Sequence, residues 1–185
     1  MSIVKAREYL KKFGLENKVM EFDVSSATVE EAARAINCKE EEIVKTISFI
    51  VNDKPILIAV AGDSKIDNSK FKAEFKTKAK MIPFDNVEEL IGHAVGGVCP
   101  FAINDDVDVY LDVSLKNYET VFPACGSSNS AIELTIPEME KYVKVVPAAS
   151  LKFSTNEAAR VAFVEFLSGE KGIEIWQKYG YEPAK

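Results

Sequence analysis

The stretch GHAVGGVCPF, residues 92–101, combines residue types that could present backbone groups to a ligand. Its three glycines let the backbone approach a bound group closely or adopt a positive φ. Pro100 then fixes its own φ and favours an extended Cys99. The stretch therefore predicts either a ligand-binding loop that presents N–H groups or a plain joint between a strand and a turn.

Side chains for acid–base chemistry are scarce in this chain. His93 is the only histidine, so a hydrolase built on a Ser–His or Cys–His pair would have to use it. Cys99 lies six residues further on, but sequence spacing gives no geometry for such a pair, and a dyad is not favoured. A polar wall beside the glycine loop is the more usual role for a lone histidine.

Metal and cofactor motifs are missing from the sequence. The three cysteines, Cys38, Cys99 and Cys125, are widely spaced and form no CxxC pair, which predicts neither a zinc site nor a disulfide framework. GHAVGG is neither a Walker A loop nor a dinucleotide-binding fingerprint. We therefore predict no metal and no cofactor.

Lys45 lies inside the apolar run IVKTISF. A lysine in such a strand usually points to solvent from the exposed face of a sheet. The functional alternative is a cation over a cleft, where it could orient an ester or a phosphate. Composition alone leaves both readings open.

A positive stripe follows at residues 64–80, SKIDNSKFKAEFKTKAK, in a chain whose net charge is −6. One interpretation is a solvated amphipathic helix with Phe71 and Phe75 in the core. The other is a contact surface for a phosphate backbone. The stripe contains Lys65, Lys70, Lys72, Lys76, Lys78 and Lys80.

Backbone N–H groups and one lysine would lack a strong base, but they could still hydrolyse an activated ester. An oxyanion hole stabilises the tetrahedral intermediate, and a hydroxyl of the substrate could assist the attacking water. Aminoacyl-tRNA meets this requirement, because it has a reactive ester, an adjacent ribose hydroxyl and phosphates that lysines could hold.

Composition bounds the class of protein. A chain of 185 residues with 47% apolar and 28% charged residues is one ordinary domain with room for an appendage. Its acidity disfavours broad nonspecific binding to DNA. The N-terminus has no signal-peptide core, and the longest apolar run, Ile56–Ala61, is too short to span a membrane. These features and the scattered cysteines predict a cytoplasmic location.

The elements that must position these residues are strands interleaved with short helices. IVKTISFIV and PILIAVAG predict a hairpin through NDKP, and SAIELTI predicts a later strand. Thr28 and Glu31 predict a capping box, and Asp85 predicts the start of a helix over 85–91. Without regular βαβ spacing, this order predicts a mixed α/β sheet curled into a partial barrel. After Val146 the composition predicts a linker and a helical extension over 147–185.

Three motifs, IVKTI, GHAVGGVCPF and FPACGSSNSAIELT, resemble in order and separation the YbaK/EbsC family of prolyl-tRNA editing domains and free-standing deacylases. The resemblance covers roughly residues 1–146. It implies a mixed α/β fold with a barrel-like sheet. It also implies hydrolysis of mischarged aminoacyl-tRNA, typically tRNA(Pro) carrying Cys, Ala or another small amino acid, and it leaves open whether prolyl-tRNA synthetase takes part. A non-catalytic module that binds tRNA or a synthetase is the alternative.

Site residues follow from that resemblance. Lys45 matches the essential strand lysine of the family, and Gly96, Gly97, Val98, Cys99 and Pro100 match its GxxxP loop, so these six are the expected catalytic residues. The expected substrate-binding residues are Thr46, His93, Phe101, Gly126, Ser127, Ser128 and Asn129. The lysine stripe is expected to contact the acceptor end of the tRNA. Ala102 stands where many members carry glycine, and the pocket loop differs from those with His or Asp.

The C-terminal stretch NEAARVAFVEFLSGEKGIEIWQKYGYEP is similar to the end of periplasmic molybdate-binding proteins. It is too short to be such a domain, because a pocket needs walls from more than one element. We therefore predict that it is a helical extension that packs on the domain or on a partner chain.

Overall fold

The computed structural model describes residues 2–143, which form a mixed α/β fold around a curled five-stranded half-barrel sheet. This confirms the fold class predicted for this part of the chain. The helices are α1 (Ser2–Lys11), α2 (Val29–Ile36), α3 (Asn68–Phe75), α4 (Val87–Ile91) and α5 (Ile136–Tyr142). The strands are β1 (Val19–Glu21), β2 (Ile43–Val51), β3 (Lys54–Ala61), β4 (Asp108–Leu111), β5 (Thr120–Pro123), β6 (Ser130–Ile132) and β7 (Leu134–Thr135).

The five-stranded sheet has the order β4-β3-β2-β5-β7, and β1 pairs with β6 in a separate two-stranded sheet. The hairpin of β2 and β3 is confirmed, and it turns through Asn52 and Asp53 at φ of 50° and 62°. Two successive positive φ values are typical of the type I′ turn that suits twisted strands. β2 also pairs in parallel with β5, and β3 with β4, so the sheet is mixed.

Side chains alternate along β2 between two hydrophobic clusters. Val44 belongs to the main core, which fills the inner face of the sheet together with Leu57 and Val109. Phe49 belongs to a second cluster on the outer face, where it packs against Phe71 of α3. Because consecutive strand residues point to opposite faces, β2 joins the two clusters.

Helix α2 begins with the predicted capping box. The Thr28 hydroxyl accepts from the Glu31 N–H at 3.2 Å, and the Glu31 carboxylate accepts from the Thr28 N–H at 3.4 Å. These bonds satisfy two donors that a helix start leaves free. The helix ends at Asn37, whose left-handed φ of 64° terminates it.

Two predicted boundaries are wrong. Asp85 does not cap a helix, because it lies inside a 3₁₀ turn over Phe84–Asn86, and α4 begins at Val87 without a side-chain cap. The run SAIELTI is two strands, since β6 pairs with β1 while β7 pairs with β5. The apolar alternation of that run does not reveal that its partner changes at Glu133.

The lysine stripe is only partly helical. Asp67 accepts from the N–H groups of Ser69 and Lys70 and so caps α3. Lys76 then ends α3 with a left-handed φ of 59°. Residues 77–82 leave the helix as irregular chain that reaches the sheet.

The chain divides into two compact units, Met1–Val145 and Val146–Lys185. The predicted linker and helical extension over 147–185 lie outside the described residues and stay predictions. None of the helices found within residues 2–143 has the length and apolar character needed to cross a membrane.

Ala102 occupies a left-handed conformation with φ of 51°, which strains any residue with a Cβ. We expect Ala102→Gly to raise the free energy of unfolding by about 0.5–1 kcal/mol, because relief of strain outweighs the entropy that glycine adds to the unfolded chain. Urea unfolding measures it. The matched control is Ala73→Gly in α3, which should lower stability by about 1 kcal/mol. Equal losses in both variants would contradict the strain at Ala102.

Candidate functional site

Strand β2 changes partners along the edge that faces away from β3. At its start, Ile43 and Val44 pair with β5. Further along, Phe49 forms an antiparallel bridge with Met81. Thr46 lies between these two pairings, so the sheet is split beside the middle of its central strand.

The backbone of Thr46 faces this split. The Ser48 carbonyl accepts from the Ile82 N–H at 3.2 Å, and the Ile50 N–H donates to the Lys80 carbonyl at 2.9 Å. Alternate strand residues direct their N–H and C=O groups to the same edge, so those of Thr46 point the same way as those of Ser48. The Thr46 hydroxyl is buried and has no hydrogen-bond partner among residues 2–143.

Lys45 is half-buried, and its Nζ donates to the Ser64 carbonyl. Burial lowers the pKa of Lys45, the nearby Asp63 carboxylate opposes that shift, and Lys65 adds to it. Lys45 is therefore not a freely solvated surface lysine. It is a cation held beside the turn that follows β3.

The loop over residues 96–100 meets the loop over 126–129 backbone to backbone. A Cβ on Gly97 would lie 2.8 Å from Gly126 C and O and from Ser127 N, a separation that real side chains do not reach. Gly96 has a φ of +88°. Glycine is thus required twice, once for conformation and once for close approach.

The loop over 126–129 is fixed from its other side by residues 22–26. The Ser26 N–H donates to the Ser128 carbonyl at 2.6 Å, and the Phe22 N–H donates to the Asn129 carbonyl at 2.8 Å. The Asn129 amide returns a bond to the Phe22 carbonyl at 2.9 Å. Within the loop, the Ser127 hydroxyl lies 2.8 Å from that of Ser130.

The start of α2 connects these loops with Lys45. A Cβ on Gly96 would lie 3.6 Å from Ser128 Cβ and 4.0 Å from Ala27 Cβ. Ala27 immediately precedes the cap of α2, and Glu30 in its first turn acts electrostatically on Lys45. The structure thus brings the two loops into contact, and the Glu30 carboxylate in α2 opposes the lowering of the pKa of Lys45.

His93, which precedes the loop over 96–100, and Cys99, which lies within it, are both completely buried. His93 Nε2 lies 2.6 Å from the Phe101 carbonyl, which can only accept, so Nε2 carries the proton. His93 Nδ1 is buried without a partner in the described part of the chain, and burial lowers the pKa of His93. Burial also raises the pKa of the Cys99 thiol to about 12. The pair supports the loop, and it offers neither an exposed base nor an exposed nucleophile.

The remaining predicted residues take different positions. Phe101 is fully buried in the main core, whereas Val98 is partly exposed and packs against that core. Pro100 lines a cavity of about 750 Å³ beside α1. All the lysines of the stripe are exposed, and Lys65 is near enough to Lys45 to influence its pKa.

Residues 25–30 also belong to this region, although no motif in the sequence indicates it. Ala27 approaches Gly96, and the Ser26 hydroxyl is buried without a partner within residues 2–143. The capping box at Thr28 predicted the helix start but gave no sign of what that helix start would touch.

Two family models match the chain. The aminoacyl-tRNA editing domain matches residues 23–142, which include Lys45 and both loops. A bacterial extracellular solute-binding protein model matches residues 114–182 and so overlaps the first match. The second match includes most of the segment for which the sequence predicted a likeness to periplasmic molybdate-binding proteins.

The chain is also similar to individual proteins. The uncharacterized protein YwhH of Bacillus subtilis (strain 168) is 50% identical over 143 residues, covering 77% of this chain and 91% of that protein. Proline–tRNA ligase of Aquifex aeolicus (strain VF5) is 27% identical over 128 residues, and the match covers 68% of this chain but 21% of the ligase. The crystal structure of a proposed trans-editing enzyme for prolyl-tRNA synthetase superposes with a TM-score of 0.72 at 28% identity, covering 78% and 93% of the two chains.

We expect Gly97→Ala to lower the free energy of unfolding by about 1–3 kcal/mol, because the new methyl group would push two backbones apart. Chemical denaturation measures the loss. Gly14→Ala is the control, since a Cβ there meets nothing within 4 Å and its φ of +72° adds only conformational strain. A loss at Gly97 no larger than that at Gly14 would contradict the close contact.

We expect stability to fall as the pH drops below about 6.5, with a contribution from His93 of up to about 1.4 kcal/mol per pH unit. Burial lowers the pKa of His93 in the folded state, so the unfolded chain binds the proton first and is favoured in acid. His93→Gln retains an N–H donor for the Phe101 carbonyl but does not titrate. Its unfolding free energy should change less between pH 7 and 5, and parallel pH profiles would exclude the buried neutral histidine.

Proposed function

The chain belongs to the aminoacyl-tRNA editing domain family, and we propose that it is a deacylase that hydrolyses the ester of mischarged tRNA in trans. The proposed substrate is tRNA(Pro) carrying Cys, Ala or another small amino acid, and the proposed site of action is the cytoplasm. The observation that carries the proposal is the backbone contact between the loops over 96–100 and 126–129, beside the split in the sheet.

The loop over 96–100 would supply the oxyanion hole. Among the hydrogen bonds within residues 2–143, the Gly97 N–H donates to the Ala94 carbonyl, and none has the Val98 N–H as donor. A free N–H near the ester carbonyl would stabilise the charge that develops on its oxygen. The close contact at Gly97 keeps this part of the loop in one conformation, so the donor would need no reorganisation during the reaction.

The attacking water would be activated by the substrate. Water adds to the ester carbonyl, the bond to the ribose 3′ oxygen breaks, and that oxygen takes a proton as the free amino acid leaves. The adjacent ribose hydroxyl can relay the proton. This route suits a site in which His93 and Cys99 are buried and the Cys99 thiol has a pKa of about 12.

Lys45 and Thr46 would orient the substrate from the central strand. The ammonium of Lys45 bonds to the Ser64 carbonyl and could exchange that acceptor for a phosphate or ribose oxygen, which binds a cation more strongly. The buried Thr46 hydroxyl lacks a partner within the described chain, so it could pair with a polar group of the aminoacyl moiety.

The lysine stripe would hold the acceptor end of the tRNA. Its six lysines are exposed on a chain of net charge −6, so this positive patch is local. Phosphate contacts of this kind make affinity fall steeply with added salt. A partnership with prolyl-tRNA synthetase is compatible with this arrangement but is not required by it.

The first experiment is single-turnover deacylation of Cys-tRNA(Pro) and Ala-tRNA(Pro) by the full chain. We expect Lys45→Ala to lower the rate constant by about 100-fold, because loss of a group that orients the substrate misplaces the ester relative to the oxyanion hole. Lys116→Ala is the matched control, because Lys116 is an exposed lysine outside both loops and the stripe. It should leave the rate within about twofold of the original chain.

Two results would overturn the enzyme assignment. Absence of cleavage of every mischarged tRNA in a panel, with tRNA binding intact, would instead support a non-catalytic binding module. Equal rates for Lys45→Ala and Lys116→Ala would show that the strand lysine takes no part in the reaction.

A further inference from the structure

Phe84 is the most exposed aromatic side chain among the large hydrophobic residues of the described chain. It is 73% exposed, and Met81, three residues earlier, is 63% exposed. Aromatic residues are usually buried, because water disfavours their apolar surface. A phenylalanine exposed to this extent offers an apolar surface to a partner.

The backbone below Phe84 is firmly anchored. Ile82 and Val87 are each 4% exposed and fix the segment to the main core from both sides. Between them, the Asn86 N–H donates to the Pro83 carbonyl at 2.9 Å and closes the 3₁₀ turn. Phe84 is therefore presented outward by a rigid turn.

This turn lies at the split beside β2. Ile82 is bonded to Ser48, and the segment runs antiparallel to β2, as its bridge between Met81 and Phe49 shows. Phe84 follows Ile82 by two residues, about 7 Å along a strand, in the direction of Thr46. It thus stands at the margin of the candidate site and on the side opposite to β5.

Two positively charged side chains precede Phe84 in the sequence. Lys78 and Lys80 are exposed, and neither forms an ion pair with another residue in the range 2–143. A flat apolar surface next to uncompensated cations fits a ligand with flat rings joined by anionic groups. Single-stranded nucleic acid has this chemistry, since its bases stack on aromatic side chains while its phosphates bind lysines.

We propose that Phe84 is a stacking platform for an unpaired base in the single-stranded 3′ end of the tRNA. Lys78 and Lys80 bind the phosphates on either side of that base. The proposal rests on the proposed function for the identity of the nucleic acid. It adds a specific contact for the nucleotides that precede the ester, which the two glycine loops do not provide.

The test measures binding, so it does not depend on cleavage. The full chain is titrated with an RNA hairpin that copies an acceptor stem with four unpaired 3′ nucleotides, and with the same hairpin ending in a blunt duplex. We expect Phe84→Ala to weaken binding of the first RNA by roughly tenfold, as loss of one stacked base predicts. Removing the unpaired nucleotides should weaken binding by at least as much, and Phe84→Ala should then have no further effect.

Matched variants separate stacking from general apolar contact. Phe84→Trp should restore the affinity, whereas Phe84→Leu should not, because leucine has no π face. Val113→Ala is the surface control, since Val113 is 70% exposed beyond β4 at the other edge of the sheet, and it should bind both RNAs normally. Unchanged binding by Phe84→Ala, or an equal loss with both RNAs, would overturn the platform, as would failure of the chain to bind either RNA.

The outcome also separates this inference from the proposed function. Binding that depends on Phe84 and on the unpaired end, without cleavage of any aminoacyl-tRNA, would support the platform and refute the deacylase. A second outcome would support the deacylase and refute the platform. In that case cleavage depends on Lys45, but Phe84→Ala and the original chain bind the RNA and cleave the ester equally well.

Discussion

The contact between Gly97 and the Gly126–Ser127 peptide is the constraint on which the candidate site depends. Two backbones approach there more closely than any side chain would permit, with a hypothetical Cβ at 2.8 Å from three backbone atoms. The loop over 126–129 is in turn bonded to residues 22–26, whose continuation caps α2. A shift of one loop would therefore displace the other, and with it the start of α2.

The central strand β2 explains why this contact lies beside an opening. On one edge, β2 pairs with β3 from Val44 to Val51, but on the other edge it is shared between β5 and the segment around Met81. The gap between these two partners faces Thr46. A sheet that is continuous on one side and divided on the other provides rigid support for a site without filling it.

Much of this arrangement follows from sequence patterns, and the remainder depends on contacts that patterns do not encode. β-branched runs identified β2 and β3, and the Thr28–Glu31 pair identified the start of α2, because those signals are local. The resemblance of three motifs identified the family. Three other features depend on tertiary contacts, which local patterns do not encode. They are the change of strand partner at Glu133, the approach of Ala27 to Gly96 and the exposure of Phe84. Asp85 had the right residue type for a cap, but a 3₁₀ turn already occupies its position.

The pairing of β2 with β5 joins residues almost eighty positions apart, since Val44 meets Pro123. The contact of Gly96 with Ala27 and the bond between Phe22 and Asn129 span similarly long stretches of chain. Contacts of this separation form late, because the entropy of closing a long loop must be overcome before they contribute. On a growing polypeptide, these contacts cannot all form until residue 129 has been synthesised and has left the ribosome. The loop over 96–100 therefore leaves the ribosome before the loop that holds it in place has been synthesised.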